Sequence, residues 1–228
     1  MKSKEFWVKQ LGESWAMKLK PILKTDYMED LIKQIEFDYI ISDMYPTQKK
    51  DIFKAFKLCK WEDVRVVVLG TDPSPDTGTG GLPFSDILSI HHNPSAIEIR
   101  NVIETQYGEL YLDFDFTFEH WANQGILMLN RSFSCPQEDT KKYRELWKKF
   151  FGSIIYLIEK EKPGTIFLLW GKEARQYSEL LSENHHVFSC EHPMKAVKEN
   201  RKWECFNFKQ IDLLIESKKS KPIFWGRL

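Results

Sequence analysis

The sequence predicts an α/β fold, a three-layer sandwich in which helices flank a central, mostly parallel four-stranded sheet. Four short apolar runs, each closed by a polar residue or a glycine, have the character of buried strands. Between them, apolar residues return at three- and four-residue spacing, which is typical of helices. Strands that alternate with helices favour parallel pairing, because each helix can carry the chain back across the sheet.

The predicted strands are rich in branched and aromatic side chains. They are residues 64–69 (VRVVVL), 126–129 (ILML), 165–170 (TIFLLW) and 186–189 (HVFS). The clearest helix places eight apolar side chains on one face: Tyr143, Leu146, Trp147, Phe150, Phe151, Ile154, Ile155 and Ile158. Further helices are predicted over residues 94–107, 174–181 and 206–215, the first of them with a proline at its start.

The first sixty residues predict helices over 5–10, 28–37 and 49–56, which could cover the sheet. We find no internal repeat, linker or low-complexity tract along the chain. We therefore expect one domain over residues 1–228, with a helical N-terminal part (1–60) and a core (61–228) that carries the site.

Composition excludes several classes of protein. The 33 basic residues balance 33 acidic ones, so nucleic-acid binding would need a local basic face rather than a net charge. The cysteines are far apart and form no C-x-x-C pair, which argues against a zinc ribbon, a redox dithiol or an iron-sulfur cluster. No apolar run has the length of a signal peptide core or a membrane helix, so we expect a cytoplasmic or nucleoid-associated protein with no membrane partner.

Polar residues follow each predicted strand, at the edge where open parallel sheets bind ligands. They are Thr71 and Asp72, Asn130, Gly171 and Lys172, and Glu191 and His192. Each has an ordinary explanation when taken singly, since an aspartate or a histidine before proline usually marks a turn. Their occurrence together and in this order favours a functional site.

Six segments carry a resemblance to a known family: GTDPSP (70–75), GLPFS (81–85), NPSAIEI (93–99), WANQGILMLN (121–130), FLLWGK (167–172) and HHVFSCEHP (185–193). From Trp61 to the C-terminus the chain resembles the family 1 uracil-DNA glycosylases. The first segment stands where that family has a Gly-Gln-Asp-Pro-Tyr-His loop. The last stands where it has its catalytic histidine.

The resemblance implies a monofunctional DNA glycosylase that works as a monomer on DNA without a metal or other cofactor. An enzyme that acts on a base in a duplex must flip it out and read its Watson-Crick edge. Asn130 would pair with N3 and O4 of a uracil-like ring, and Phe84 would stack on the base. Asp72 would stabilise the positively charged sugar and orient the water, whereas His192 and amides near Thr71 would donate to O2 of the leaving base.

DNA contact would be made mainly to phosphates. The resemblance assigns it to Ser74, Ser95, Gly171 and Lys172, and to the basic segment 192–202, HPMKAVKENRK. In that segment Lys195, Lys198, Arg201 and Lys202 face a single acidic residue, Glu199. The local positive excess favours DNA as the partner.

The chain departs from the family pattern in three places. Ser74 replaces the tyrosine whose ring blocks the C5 position of the base. Around it, Pro75 and Thr71 replace a histidine and a glutamine, which puts the rate and the water geometry in question. Ala196 stands at the place of the leucine wedge, a role that Val197 or Met194 could take instead.

These departures lead to our hypothesis that the substrate is a pyrimidine with a C5 substituent. A hypermodified phage base, and with it an antiphage role, extends that hypothesis by analogy. One alternative is an ordinary uracil-DNA glycosylase of base-excision repair, and another is a non-catalytic DNA-binding or replication accessory protein. A general α/β hydrolase is disfavoured, because the sequence has no G-x-S-x-G nucleophile elbow.

Overall fold

The computed structural model describes residues 2–73, 80–87, 92–108 and 114–226. Its helices are α1 (Lys2–Leu11), α2 (Glu13–Lys18), α3 (Lys20–Leu23), α4 (Asp26–Ile41), α5 (Lys54–Leu58), α6 (Pro94–Tyr107), α7 (Glu119–Ala122), α8 (Thr140–Glu161), α9 (Lys172–Arg175), α10 (Pro193–Lys198) and α11 (Asn207–Ser217). Its strands are β1 (Met44–Tyr45), β2 (Val66–Gly70), β3 (Ile126–Asn130), β4 (Cys135–Pro136), β5 (Ile166–Trp170) and β6 (His186–Cys190).

The main sheet confirms the predicted fold class. Its four strands pair in the order β3-β2-β5-β6, and all three pairings are parallel. Strands β2, β3 and β5 are buried along their whole length, as expected for strands covered on both faces. The four strands match the predicted runs and differ from them by one or two residues at their ends.

Helix α8 packs its predicted face into the core and begins where the Asp139 side chain accepts a hydrogen bond from the Lys142 amide. Helix α6 matches the prediction at both ends. There the Asn93 side chain caps the Ser95 amide, Pro94 occupies the first turn and Gly108 follows the last residue. Both helices thus carry the local signals that fix their boundaries.

Two helix predictions were wrong in detail. Residues 49–56 form a 3₁₀ turn (Lys49–Asp51) and then α5, because Phe53 leaves helical geometry and places its ring in the core. Residues 174–181 are a 3₁₀ helix (Gln176–Leu180) that continues the short α9, and the Ser178 hydroxyl bonds the Arg175 carbonyl there. The sequence prediction also missed α2, α3, α7, α10 and the small antiparallel pair β1–β4.

The N-terminal helices share one hydrophobic core with the sheet. Phe53 and Phe56 contact Phe133, Trp147 and Phe150 at ring-centroid distances between 5.4 and 6.4 Å. The same buried cluster continues through residues of every strand of the main sheet except β6. Among the residues that the structure describes, no helix is both long and apolar enough to cross a membrane.

Candidate active site

Three predicted site residues, Asp72, Asn130 and His192, lie at or just after strand ends on the carboxyl edge of the main sheet. Gly70 is paired with Asn130 across β2 and β3, and Trp170 with Cys190 across β5 and β6. The residues that follow these strands, Asp72 and His192 among them, therefore leave the sheet on the same side. This is the edge at which α/β sheets place ligands.

The side chain of Asn130 lies so close to Gly70 that a side chain at position 70 would clash with it. A Cβ atom built on Gly70 would come within 2.4 Å of Asn130 Oδ1 and 2.7 Å of Pro83 Cβ. Asn130 itself is 6% exposed, so its amide is held at the base of the site. Position 70 therefore requires glycine, because the Asn130 amide and the Pro83 ring leave no room for a Cβ atom there.

His192 has a hydrogen bond that fixes which ring nitrogen carries the proton. It is the N-cap of α10, and its Nδ1 accepts from the Met194 amide at 3.1 Å. Since Nδ1 is the acceptor, the neutral ring carries its hydrogen on Nε2. Burial lowers the pKa of His192, and the positive charge of Lys198 lowers it further. The side chain is thus a neutral Nε2–H donor near pH 7.

Gly171 lies directly against His192. A Cβ atom at position 171 would lie 2.8 Å from His192 Cβ, and the glycine has φ +88°. The Gly171 amide donates to the Cys190 carbonyl at 2.9 Å. The predicted contact of Gly171 with the DNA backbone stays a prediction, and the neighbouring Lys172 is exposed.

Phe84 lies beside His192 on the same edge. Its ring centroid is 5.8 Å from that of His192 and 5.7 Å from that of Trp170. The residue has φ +65°, which is an uncommon and strained conformation for a phenylalanine. Backbone strain of this kind persists where the surrounding structure fixes the residue. Here the surrounding structure holds the half-buried ring of Phe84 next to the neutral His192.

Asp72 is held by an arginine that the sequence reasoning did not include. Nε of Arg144 lies 2.9 Å from both carboxylate oxygens, and Nη2 donates to Oδ2 as well. The side chain of Asp72 is 10% exposed and that of Arg144 31%. Hydrogen bonding to Asp72 raises the pKa of the guanidinium. The one signal in the sequence was a basic residue on the first turns of α8, between two residues of its apolar face.

The loop after β2 is tied to the rest of the site through its backbone. The Thr71 carbonyl accepts from the Ser132 amide at 3.1 Å, and the Cys135 thiol points at the Pro73 carbonyl at 3.7 Å. Burial is the main reason that the pKa of this thiol is raised to about 12. Ser74 and Pro75, which carry two of the departures from the family pattern, lie outside the described residues.

Two of the basic side chains in segment 192–202 already form ion pairs with glutamates. Lys195 lies 3.3 Å from Glu191 and 3.8 Å from Glu199, and Arg201 pairs with both of these glutamates. Glu191 lies just outside the segment and was not counted with it. Lys198 and Lys202 remain exposed.

The remaining residues predicted to contact DNA differ in how exposed their side chains are. Ser95 is only 3% exposed at the start of α6. Ala196 is 0% exposed, because α10 turns this side chain inward, so the prediction of Ala196 as a wedge is corrected. Val197 and Met194 keep part of their surface accessible and are the wedge candidates that remain.

Metal ligation finds no support within the described ranges. No cluster of three or more His, Cys, Asp or Glu side chains there could hold an ion. The four cysteines are free thiols, and Cys190 and Cys205 face each other with their sulfurs 2.9 Å apart.

Comparison with known proteins identifies relatives over nearly the whole chain. The profile described as "Uracil DNA glycosylase superfamily" matches residues 56–216. A uracil-DNA glycosylase of Aliarcobacter butzleri is 33% identical over 202 residues, which are 87% of this chain and 94% of that protein. One from Flavobacterium johnsoniae is 32% identical over 222 residues, covering 95% and 99%.

Solved structures agree on the fold. The crystal structure of mimivirus uracil-DNA glycosylase aligns with a TM-score of 0.79 at 20% identity, over 96% of this chain and 88% of the other. The enzyme from Nitratifractor salsuginis aligns with a TM-score of 0.58 at 17% identity, over 83% and 87%.

Proposed function

Because the chain belongs to the uracil DNA glycosylase superfamily, we propose that it excises a flipped-out pyrimidine and tolerates a substituent at C5 of that base. It is a DNA glycosylase that hydrolyses N-glycosidic bonds. The choice of base and the roles of individual residues are the proposal. We also infer that residues 1–228 form one domain, since the N-terminal helices share the core of the sheet.

The observation that carries the proposed chemistry is the hydrogen bonding of His192. Cleavage of the bond leaves negative charge on the departing base, chiefly at O2, and positive charge on the sugar. A neutral histidine whose Nε2–H is fixed by the Met194 amide can donate to O2 without giving up its proton. Asp72, an aspartate at the end of β2, is proposed to face the sugar and orient the attacking water.

Selection of a pyrimidine is assigned to Asn130 and Phe84. An amide presents both a donor and an acceptor, so Asn130 can pair with N3–H and O4 of a uracil-like ring. Its position over Gly70 limits how far the amide can move. Phe84 supplies the ring on which the base stacks.

Tolerance at C5 is proposed from the residue at position 74. Thymine differs from uracil by a methyl group at C5, and modified pyrimidines carry larger groups there. A serine is too short to fill the space that a tyrosine ring takes in the family pattern. Modified bases of this kind occur in phage DNA, so the proposal extends to an antiphage role by analogy.

A substrate panel tests this proposal. Oligonucleotides that carry uracil, thymine, 5-hydroxymethyluracil, 5-hydroxymethylcytosine or its glucosylated form are incubated with the protein, and abasic sites are cleaved with hot alkali. We expect cleavage at one or more of the 5-substituted bases. Activity on uracil with none on any 5-substituted base would instead support the alternative, an ordinary uracil-DNA glycosylase, which is the name its curated relatives carry.

Two substitutions at the same position make the test specific. Ser74→Tyr should reduce excision of 5-substituted bases by about 10-fold or more, the scale on which pocket shape discriminates, and should spare uracil. Ser74→Ala keeps the position small and should retain the wild-type range of substrates. If Ser74→Tyr leaves the range unchanged, position 74 does not control access to C5.

A further inference from the structure

Arg144 and Asp72 form a multiple hydrogen-bonded ion pair at the carboxyl edge of the sheet. Arg144 belongs to α8, whereas Asp72 follows β2, so the pair joins two elements that are 72 residues apart in sequence. The guanidinium reaches both oxygens of one carboxylate through Nε, and it reaches Oδ2 a second time through Nη2. Such a fork limits both the rotation and the tilt of the carboxylate plane.

Burial distinguishes this pair from ordinary surface ion pairs. Only 10% of the Asp72 side chain is exposed, so few water molecules could orient the carboxylate if the arginine were absent. By comparison, Lys33 and Glu29 on α4 are 66% and 55% exposed, and pairs of that kind contribute little. The carboxylate at the end of β2 therefore depends on Arg144 for its charge balance and its orientation.

The contact with Arg144 leaves the carboxylate of Asp72 able to accept a further hydrogen bond. An ionised carboxylate offers about four acceptor positions, and the hydrogen bonds from Arg144 do not use all of them. The remaining position can accept a hydrogen bond from a water or face a positively charged sugar. Two positions near Asp72 in the sequence carry polar side chains in the family pattern. Thr71 has a shorter side chain than the glutamine it replaces, and the side chain of Pro75 has no hydrogen-bond donor.

We propose that Arg144 is a positioning residue that holds the carboxylate of Asp72 in the orientation needed for hydrolysis. This inference rests on the proposed catalytic role of Asp72. It does not make Arg144 a DNA contact, because its Nε and Nη2 donors are engaged by Asp72. Arg144 acts on the reaction only through the aspartate.

The test separates turnover from DNA binding, with the best base of the substrate panel as the probe. Arg144→Ala should lower kcat by about 100-fold, the scale of a misplaced catalytic group, and leave KM within a factor of about three. Arg144→Lys, which keeps the charge without the fork, should recover part of that loss. Added guanidinium at millimolar concentration should partly restore Arg144→Ala and have no effect on the wild type.

The matched control is Arg100→Ala. Arg100 has the same exposed fraction as Arg144, 31%, and pairs with Glu104 on the surface of α6. The substitution Arg100→Ala should leave kcat and KM unchanged. The midpoint of thermal unfolding and the affinity for a duplex with an abasic site show whether each variant is folded.

Asp72→Asn distinguishes failure of this inference from failure of the proposed function. If Asp72→Asn keeps wild-type turnover, the proposed role of Asp72 is wrong. If Asp72→Asn loses activity while Arg144→Ala keeps its kcat, or raises KM alone, only the positioning role is overturned. When both hold, Asp72→Asn combined with Arg144→Ala should be no slower than Asp72→Asn alone.

Discussion

The groups proposed to act on the base and those proposed to meet phosphates lie on one edge of the sheet but are held in place differently. We call Asp72, Phe84, Asn130 and His192 the inner site, and Lys172, Lys195, Lys198 and Arg201 the rim. In the inner site, the guanidinium of Arg144 holds Asp72, and a backbone with positive φ holds Phe84. The close approach of Gly70 restricts Asn130, and the Met194 amide fixes the ring of His192. Rim residues are exposed, and two of them pair with glutamates.

The difference indicates where substitution should matter. Catalytic groups must be held to within fractions of an ångström, so the proposed roles of the inner-site residues require the packing around them to be tight. Phosphate contacts depend on charge and tolerate mobile side chains. Substitutions that touch the supports of the inner site should therefore change turnover, whereas substitutions on the rim should change the affinity for DNA and its salt dependence.

The largest expected effect comes from a single methyl group under the inner site. Gly70→Ala places a Cβ atom 2.4 Å from Asn130 Oδ1, so the amide must shift. We expect kcat/KM to fall by about 100-fold and stability to fall by about 1–3 kcal/mol through overpacking. Single-turnover kinetics and urea unfolding measure the two effects separately.

Gly152→Ala is the matched control for that change. Gly152 lies on the exposed side of α8, and a Cβ atom there meets nothing within 4 Å. The substitution should leave activity unchanged and stabilise the helix by up to about 1 kcal/mol. Wild-type activity in Gly70→Ala would show that the inner site accommodates movement of Asn130, and the contrast with the rim would then fail.

Much of this arrangement follows from the sequence, for physical reasons that particular residues illustrate. Period and composition predict the strands, and strand ends followed by Asp72, Asn130 and His192 predict the functional edge. Contacts between distant segments leave no such local pattern. Arg144 on α8 reaches Asp72, Glu191 joins the basic segment, and Ala196 turns inward only because α10 packs against α6. Each of these depends on where the fold brings separate segments.

A smaller effect is expected from the rim residue that influences the inner site. Burial and the charge of Lys198 both lower the pKa of His192, so removal of that charge should raise it. Protonation of His192 would place a hydrogen on Nδ1, which now accepts from the Met194 amide, so activity should fall as pH drops through this pKa. In Lys198→Met the fall in kcat should therefore begin at higher pH than in the wild type.

Lys33→Met is the control, because it removes one exposed charge on α4, a helix that carries no residue of the inner site. Its profile of kcat against pH, measured at saturating DNA, should match that of the wild type. An unchanged acid limb in Lys198→Met would mean that the rim has no electrostatic influence on the inner site.

The smallest effect is expected within the rim itself, between a lysine and a paired arginine. Lys172 is exposed and has no ion-pair partner within the described part of the chain, whereas Arg201 contacts Glu191 and Glu199. Lys172→Ala should reduce the slope of log Kd against log salt by about 1, as expected for one lost phosphate contact. Arg201→Ala should leave the slope unchanged, because its charge is already balanced by carboxylates. Fluorescence anisotropy over a salt series measures both. A reduced slope in Arg201→Ala would mean that its ion pairs open on DNA and that the paired residues of the rim are phosphate contacts as well.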